Sequence, residues 1–155
     1  MSLDDDIQLI AEAPIFAELN GDQLRLLAFG AERMTYRERQ VIFRQGDPAD
    51  YGAVIATGSV LASVDTPTGS KPLQTIERPS LIGQMALLTD TRRAITATAQ
   101  TDTNILRINR SLFHRMLREY PETAAAIHAQ IRADLQKLLG DIAKLEPRFS
   151  SIRDI

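Results

Sequence analysis

The sequence contains no cysteine and only two histidines, His114 and His128. Without cysteine the chain has no disulfide framework, no thiol nucleophile and no zinc-thiolate site. Two histidines are too few for a histidine metal cluster. The spacing of the remaining polar residues shows no Ser-His-Asp or metal-ligand pattern, so the sequence gives little support to an enzyme. We expect no catalytic residues, no bound metal and no cofactor.

Long apolar runs and a basic N-terminus are also missing. No run approaches the roughly 20 apolar residues of a membrane helix, and the N-terminal segment MSLDDDIQLI is acidic where a signal peptide is basic. We therefore expect a cytoplasmic protein without membrane contact. The net charge of -2 argues against a surface built throughout for nucleic acid, because neutralising phosphates needs concentrated positive charge.

The length and the apolar content predict a single domain that covers residues 1–155. A chain of 155 residues with 44% hydrophobic residues can bury a substantial core. Helical spacing of apolar residues predicts N-terminal helices up to about residue 30. One helix would end before Pro14 with Leu3, Ile7, Ile10 and Ala11 facing inward, and Asp4, Asp5 and Asp6 would serve its first turn. In the second helix, Leu24, Leu27 and Ala28 would face inward and Gly30 would end it.

Residues 31–109 change to short β-branched runs separated by turn residues. The predicted strands are 34–36, 41–43, 53–56, 60–64, 73–76, 95–99 and 105–108, with another short apolar strand at 81–82. Segments such as QGDP and DTPTG recur at about the spacing expected of an antiparallel sandwich or barrel. The sequence therefore predicts a mainly β core of about eight strands.

Helical periodicity returns at about residue 110 and continues to about residue 145, leaving a tail at 146–155. Pro121 is predicted to separate a short helix from a long final helix at 122–145. The apolar residues of the final helix follow a coiled-coil spacing: Ile127, Ile131, Leu135, Leu138, Ile142 and Leu145. This seam either packs on the chain's own barrel or forms a homodimer contact. Its length favours the homodimer, because a helix this long overhangs a small domain.

The stretch at 81–99, LIGQMALLTDTRRAITATA, predicts an anion pocket. Gly83 allows the backbone to approach a ligand closely, and the amides that open the next helical turn point outward without partners. Arg93 can fold back onto the same position and bind two phosphate oxygens. No dinucleotide-type or P-loop glycine pattern is present, so these residues alone indicate an anion and not a particular ligand.

With these elements in this order, residues 7–145 resemble the cyclic nucleotide-binding domain family. The run VIFRQGDPADYGAVIATGSV resembles the family's glycine-marked early strands, and IGQMALLTDTRRAITA resembles its phosphate-binding cassette. The resemblance implies an eight-stranded antiparallel β-roll, or jelly roll, with N-terminal helices and a long C-terminal helix. It implies a non-enzymatic sensor that binds a cyclic nucleotide and moves its C-terminal helices to signal to an unknown downstream protein.

The resemblance also implies site residues. Arg93 matches the arginine that pairs with the cyclic phosphate, and Ala94 favours cAMP over cGMP. The backbone amides of Met85 to Leu87 would be donors, while Leu73 and Ala62 would line the purine and ribose side. The predicted ligand-binding residues are Gly83, Gln84, Met85, Ala86, Leu87, Arg93, Ala94, Ile95, Leu73 and Ala62.

Three residues depart from the cassette pattern. Gln84 stands where the family has a glutamate for the ribose 2′-hydroxyl, and losing that charge should cost about 1 kcal/mol of binding. Arg92 replaces a common proline, and Ile95 replaces a small residue and would narrow the pocket if it faces inward. The alternative hypothesis is therefore a degenerate fold that no longer binds nucleotide and serves as a dimerisation or protein-interaction module.

Two further features bear on nucleic acid. The family's bacterial gene activators continue into a helix-turn-helix domain, whereas this sequence ends at Ile155, so we expect a sensor domain that stands alone or belongs to a longer chain. A basic set could form a patch: Arg107, Arg110, Arg115, Arg118 and His114. A solvated helix face is the favoured interpretation, because Glu119 and Glu122 are interleaved with the last two arginines. We expect no nucleic-acid partner.

Overall fold

The computed structural model describes residues 2–130, 132–133 and 136–137. Two helices precede the strands along the chain and two follow them, as the periodicity predicts, while a short helix lies between two of the strands. The helices are α1 (Leu3–Ala11), α2 (Gly21–Gly30), α3 (Gln84–Leu88) and α4 (Arg110–Glu119), with a 3₁₀ turn at Pro14–Phe16. A further helix begins after Tyr120, and residues 121–130 are helical.

The two N-terminal helices begin with reciprocal side-chain caps. Ser2 and Asp5 form a capping box at the start of α1, and Asn20 and Gln23 form another at the start of α2. The predicted role of the acidic run in the first turn of α1 is confirmed. The predicted apolar face is only partly right, because Leu3 and Ala11 are exposed and the buried residues are Leu9 and Ile10.

The strands form two four-stranded antiparallel sheets and a two-stranded ribbon. They are β1 (Glu32–Tyr36), β2 (Val41–Phe43), β3 (Pro48–Ala49), β4 (Tyr51–Thr57), β5 (Ser59–Thr66), β6 (Gly69–Glu77), β7 (Leu81–Ile82), β8 (Thr91–Arg92), β9 (Thr96–Ala99) and β10 (Thr103–Asn109). The sheet orders are β1-β10-β4-β7 and β2-β9-β5-β6, and β3 pairs with β8. The predicted jelly-roll class is confirmed.

The two shortest additional strands were not visible in the sequence. β3 and β8 have two residues each, so neither shows the alternation that reveals a strand. Their pairing joins Pro48 to Arg92 and Ala49 to Thr91. This ribbon matters for the site, because it fixes the backbone immediately before Arg93.

The core has two parts. One lies between the helices and the first sheet, where the rings of Phe16 and Phe113 meet edge to face with centroids 6.0 Å apart. The other lies between the two sheets and includes Phe43, Tyr51 and Ile105. Along β10, neighbouring side chains therefore face alternately the helices and the space between the two sheets.

The final helix is described only in part. Ile127 is fully buried in the chain's own helical core. The other predicted seam residues lie outside the described residues: Ile131, Leu135, Leu138, Ile142 and Leu145. Among the residues that the structure describes, no helix has both the length and the apolar character needed to cross a membrane.

Candidate functional site

A cavity of about 290 Å³ opens beside α3 and the β3–β8 ribbon. This volume lies near the lower end of the range of about 300–1,000 Å³ for small-molecule sites. Most of its walls are apolar, and its charged side chains are arginines. The lining residues are Phe43, Ala49, Ile82, Gly83, Gln84, Met85, Ala86, Thr91, Arg92, Arg93, Ala94 and Ile95.

Gly83 positions α3 against the cavity. It precedes the helix with φ 79° and ψ 37°, a left-handed conformation that favours glycine. A methyl group at this position would overlap Nη1 of Arg93 and come within 3.4 Å of the Tyr51 carbonyl oxygen. Gly83 is therefore required both for its backbone conformation and for the close approach of Arg93.

Arg93 is held by its backbone and by its side chain. Its N–H donates to the Asp47 carbonyl at 2.8 Å, and its own carbonyl accepts from the Gly46 N–H at 2.8 Å. The side-chain Nη2 donates to the Tyr51 carbonyl at 2.9 Å. The guanidinium carbon lies 4.1 Å from the ring centroid of Phe43 and 4.4 Å from that of Tyr51. These cation–π contacts orient a charged group inside an apolar wall.

Two donors of this guanidinium remain unpaired. Arg93 is only 5% exposed, and its Nε and Nη1 have no hydrogen-bond partner among the described residues. Burial lowers the pKa of Arg93 from its ordinary value, partly offset by Tyr51 and Asp50. An arginine nevertheless remains protonated at neutral pH. Buried unpaired donors on a cation are costly, and an anionic oxygen acceptor in the cavity would offset that cost.

The short helix α3 supplies backbone donors beside the same place. As its first residues, Gln84 and Met85 have no carbonyl partner four residues earlier within the helix. The Ala86 N–H donates to the Gly83 carbonyl at 3.0 Å, so one of the predicted donor amides is used within the turn. Gln84 is half-buried, and Met85 is 54% exposed at the cavity edge.

The structure brings seven of the ten predicted ligand-binding residues to this cavity. They are Gly83, Gln84, Met85, Ala86, Arg93, Ala94 and Ile95. Leu87 is fully buried in the helical core, and Ala62 is buried on β5. Leu73 is 52% exposed on β6, which lies at the edge of its sheet. The binding role of each residue stays a prediction.

The two bulkier departures from the cassette pattern occupy different environments. Ile95 is half-buried, packs against the inter-sheet core and lines the cavity, so its branched side chain does occupy space there. Arg92 is exposed, and its Nη1 donates to the Gly46 carbonyl at 2.9 Å. Arg92 therefore stabilises the turn beside the cavity while its charge remains in contact with water.

Sequence patterns did not identify the residues that support Arg93. Phe43 was the last residue of a predicted strand and Tyr51 lay outside the predicted strands, and only the contact with a buried cation reveals their role. The interpretation of the basic set as a solvated face is wrong for two members. The Arg107 guanidinium carbon lies 3.8 Å from the Tyr51 centroid, and Arg110 Nη1 donates to backbone carbonyls.

The part of the chain that the structure describes contains no group of three or more His, Asp or Glu side chains placed to hold a metal ion. His114 and His128 line one open groove between α4 and the helix that follows it. The polar groups at the cavity are the buried Arg93 guanidinium, the helix amides, the Gln84 carboxamide, the Thr91 hydroxyl and the exposed Arg92. Such groups are suited to an anion that carries a neighbouring hydroxyl group.

Comparison with known proteins agrees with this geometry. A family model described as the cyclic nucleotide-binding domain matches residues 33–120. The cAMP-dependent protein kinase regulatory subunit of Dictyostelium discoideum is 33% identical over 94 residues, which are 58% of this chain and 29% of that protein. The chain spans less than a third of the length of such curated relatives.

Two solved structures share the fold. A cyclic nucleotide-binding-like protein from Brucella abortus is 36% identical with a TM-score of 0.69, covering 74% of this chain and 99% of that one. The N-terminal domain of a transcriptional regulator from Streptomyces coelicolor is 26% identical with a TM-score of 0.80, covering 86% and 94%. The cassette geometry, the jelly roll and these matches together show that the chain belongs to the cyclic nucleotide-binding domain family.

Proposed function

We propose that residues 1–155 form one non-enzymatic sensor domain that binds a cyclic nucleotide, cAMP, in the cavity beside α3. The observation that carries this proposal is Arg93, a buried cation at a cavity whose Nε and Nη1 have no partner within the described part of the chain. A phosphodiester carries a negative charge on its two non-bridging oxygens, which accept charge-assisted hydrogen bonds from a guanidinium. The first amides of α3 add donors on the other side of the same anion.

The rest of the nucleotide would use the neutral part of the cavity. Gln84 offers a carboxamide oxygen to the ribose 2′-hydroxyl, a neutral acceptor in place of a carboxylate. The apolar side chains of Ile82 and Ile95 provide surface for the sugar and base. Ala94 is exposed at the cavity edge and offers no hydroxyl to the base, which favours adenine over guanine.

Calorimetric titration tests the proposal directly. The parent protein should bind cAMP more tightly than cGMP, and 5′-AMP should show how far binding depends on the cyclic phosphate. Arg93→Met should weaken cAMP binding at least about tenfold, because charge-assisted hydrogen bonds contribute about 1.5–3 kcal/mol. Arg92→Met is the matched control, since it removes the adjacent but exposed charge. No heat and no thermal shift with millimolar cAMP on folded parent protein would refute the function.

Coupling to the C-terminal helices is supported by Arg110. This first residue of α4 donates from Nη1 to the Ala49 carbonyl at 3.1 Å and to the Thr89 carbonyl at 2.8 Å. Thr89 is the C-cap of α3, so a movement of the cassette would be transmitted to α4 through these bonds. Ligand binding would then shift the population of two arrangements of α4.

Hydrogen exchange tests the coupling separately from binding. In the parent, cAMP should change the exchange of amides in α4 as well as those in α3. Arg110→Met should still bind cAMP but lose the change in α4. An Arg110→Met protein whose α4 responds like that of the parent would show that the signal takes another route.

A degenerate protein-interaction module is the second candidate function. Its specific support is Ile95, which lines the cavity, together with the neutral Gln84. Under this alternative, Gln84→Glu would leave the protein without nucleotide affinity, because Ile95 would still fill the cavity. The sensor proposal instead requires Gln84→Glu to tighten cAMP binding.

We also propose that the helix at 122–145 mediates a homodimer. The support is the spacing of the apolar residues in the sequence, whereas the buried position of Ile127 shows that the first of them packs within its own chain. Sedimentation equilibrium should give twice the mass of 17.2 kDa. A concentration-independent monomer would assign the whole seam to intramolecular packing.

A further inference from the structure

A second arginine lies against the aromatic ring that holds Arg93. The Arg107 guanidinium carbon is 3.8 Å from the Tyr51 ring centroid, and the Arg93 carbon is 4.4 Å from the same centroid. The Nε of Arg107 is buried and, within the described residues, has no hydrogen-bond partner. The cation–π contact is therefore a main interaction of this part of Arg107.

The position of Arg107 is unusual for its strand. On β10, Ile105 lies in the inter-sheet core, whereas Leu106 and Ile108 lie in the helical core. By this alternation, residue 107 lies on the inter-sheet face. The register pairs Arg107 with Ala53 and Asn109 with Tyr51, so Arg107 and Tyr51 are diagonal neighbours on that face. A charged residue on a core-facing position is rare without a specific role.

Tyr51 connects this arginine to the anion site through two contacts. Its carbonyl oxygen accepts from Arg93 Nη2 at 2.9 Å, and its ring lies against the Arg93 guanidinium. Any rotation of the ring or shift of its backbone therefore changes the direction in which Arg93 Nε and Nη1 point. Tyr51 is itself only 7% exposed, so water can replace little of a lost protein contact.

We propose that Arg107 is a positioning residue for the anion site: it fixes the Tyr51 ring and, through Tyr51, the orientation of Arg93. It does so without touching the ligand. The arrangement places two positive charges near one ring. Burial is the main cause of the lowered pKa of Arg93, and repulsion from Arg107 adds a smaller lowering. Repulsion of this kind is relieved when an anion arrives, so Arg107 makes the site more dependent on a bound anion.

This inference deepens the proposed function and rests on it for the binding readout. Arg107→Met keeps the length and the apolar stem of the side chain, while Arg107→Lys also keeps a cation that can lie over the ring. We expect Arg107→Met to weaken cAMP binding about tenfold and Arg107→Lys to recover most of that loss. Arg115→Met removes an exposed arginine from α4 and should leave the affinity unchanged.

The route through Tyr51 is tested by a double-mutant cycle. In a Tyr51→Leu background, Arg107→Met should have little further effect, because the ring it acts on is absent. An undiminished tenfold effect in that background would overturn the route. Affinity of Arg107→Met equal to that of the parent would overturn the positioning role, while cAMP binding by the parent would keep the proposed function intact.

A second measurement does not depend on the nucleotide. The Nε–H of Arg93 should give a protected resonance in the NMR spectrum of the parent, because the guanidinium is buried and held. Arg107→Met should broaden this resonance or speed its exchange with water, and Arg107→Lys should restore it. An unchanged Arg93 resonance in Arg107→Met would refute the proposal even if no nucleotide bound to the parent.

Discussion

Replacing Gly83 with alanine tests whether the anion site depends on the close approach of Arg93. Gly83 has φ 79°, and a left-handed conformation costs a non-glycine residue about 1–2 kcal/mol. For a chain of this size that corresponds to a fall in Tm of about 2–8 °C. The added methyl group would also overlap Arg93 Nη1, so the guanidinium must move away from the start of α3.

The expected loss of binding exceeds the loss of stability. Moving Arg93 removes charge-assisted hydrogen bonds, each worth about 1.5–3 kcal/mol, so the Kd for cAMP should rise roughly tenfold to a hundredfold. Gly69→Ala is the matched control. Gly69 has φ 122°, and no atom lies within 4 Å of an added methyl group. It should lose stability through backbone strain and keep the affinity of the parent.

Calorimetric titration of the parent, Gly83→Ala and Gly69→Ala gives their affinities for cAMP, and thermal unfolding gives their stabilities. The reasoning requires Gly83→Ala to lose both stability and affinity, and Gly69→Ala to lose stability alone. Equal affinity of Gly83→Ala and the parent would refute the assignment of Arg93 as the group that binds the phosphate. A matching loss of affinity in both variants would show that binding follows overall stability and not the local geometry.

Three other substitutions have defined outcomes. Gln84→Glu should tighten cAMP binding about fivefold by titration, because a charged acceptor is worth about 1 kcal/mol more than a neutral one; weaker binding would exclude the ribose role. Arg78 donates to both carboxylate oxygens of Glu12, and these hydrogen bonds lower the pKa of Glu12. The pair therefore stabilises the fold above the ordinary pKa of a glutamate, and this stabilisation is lost as the pH falls through the lowered pKa. Denaturant unfolding should therefore show parent and Glu12→Gln converging below about pH 4 and differing at neutral pH; a difference independent of pH would contradict this. Gln23 is buried and joins Asn20 to Thr123, so Gln23→Leu should lower the free energy of unfolding by about 2 kcal/mol, and no change would show that these bonds do not contribute.

Much of the fold followed from local patterns. Val41–Phe43 was predicted with its observed bounds, because a short apolar run between turn residues has few alternatives. The short helix after residue 110 was also predicted, and it is α4, in which Phe113 and Met116 are buried. The strands β3 and β8 were missed because two residues carry no periodicity. Their existence depends on pairing between segments more than forty residues apart, Pro48 with Arg92.

The residues of the candidate site that could be predicted are those whose role depends on the conformation or charge of a single residue type. Gly83 was identified because only glycine readily adopts that backbone conformation, and Arg93 because its guanidinium matches two phosphate oxygens. The cavity itself includes Phe43 and Ile82, which no local pattern distinguishes from other core residues. Leu73 was predicted for the same site and lies outside this cavity on an edge strand.

The sequence by itself determined the cassette, its glycine and its arginine, because those features depend on the conformation and charge of single residues. Only the tertiary structure decided what surrounds Arg93, because contacts between β2, β4, β8 and β10 arise from strand pairing across the whole roll. It placed Phe43 and Tyr51 against the guanidinium and, among the residues that the structure describes, left two donor atoms of that guanidinium unpaired. It also placed Arg107 on the same aromatic ring, a contact between strands that no spacing along the chain could reveal.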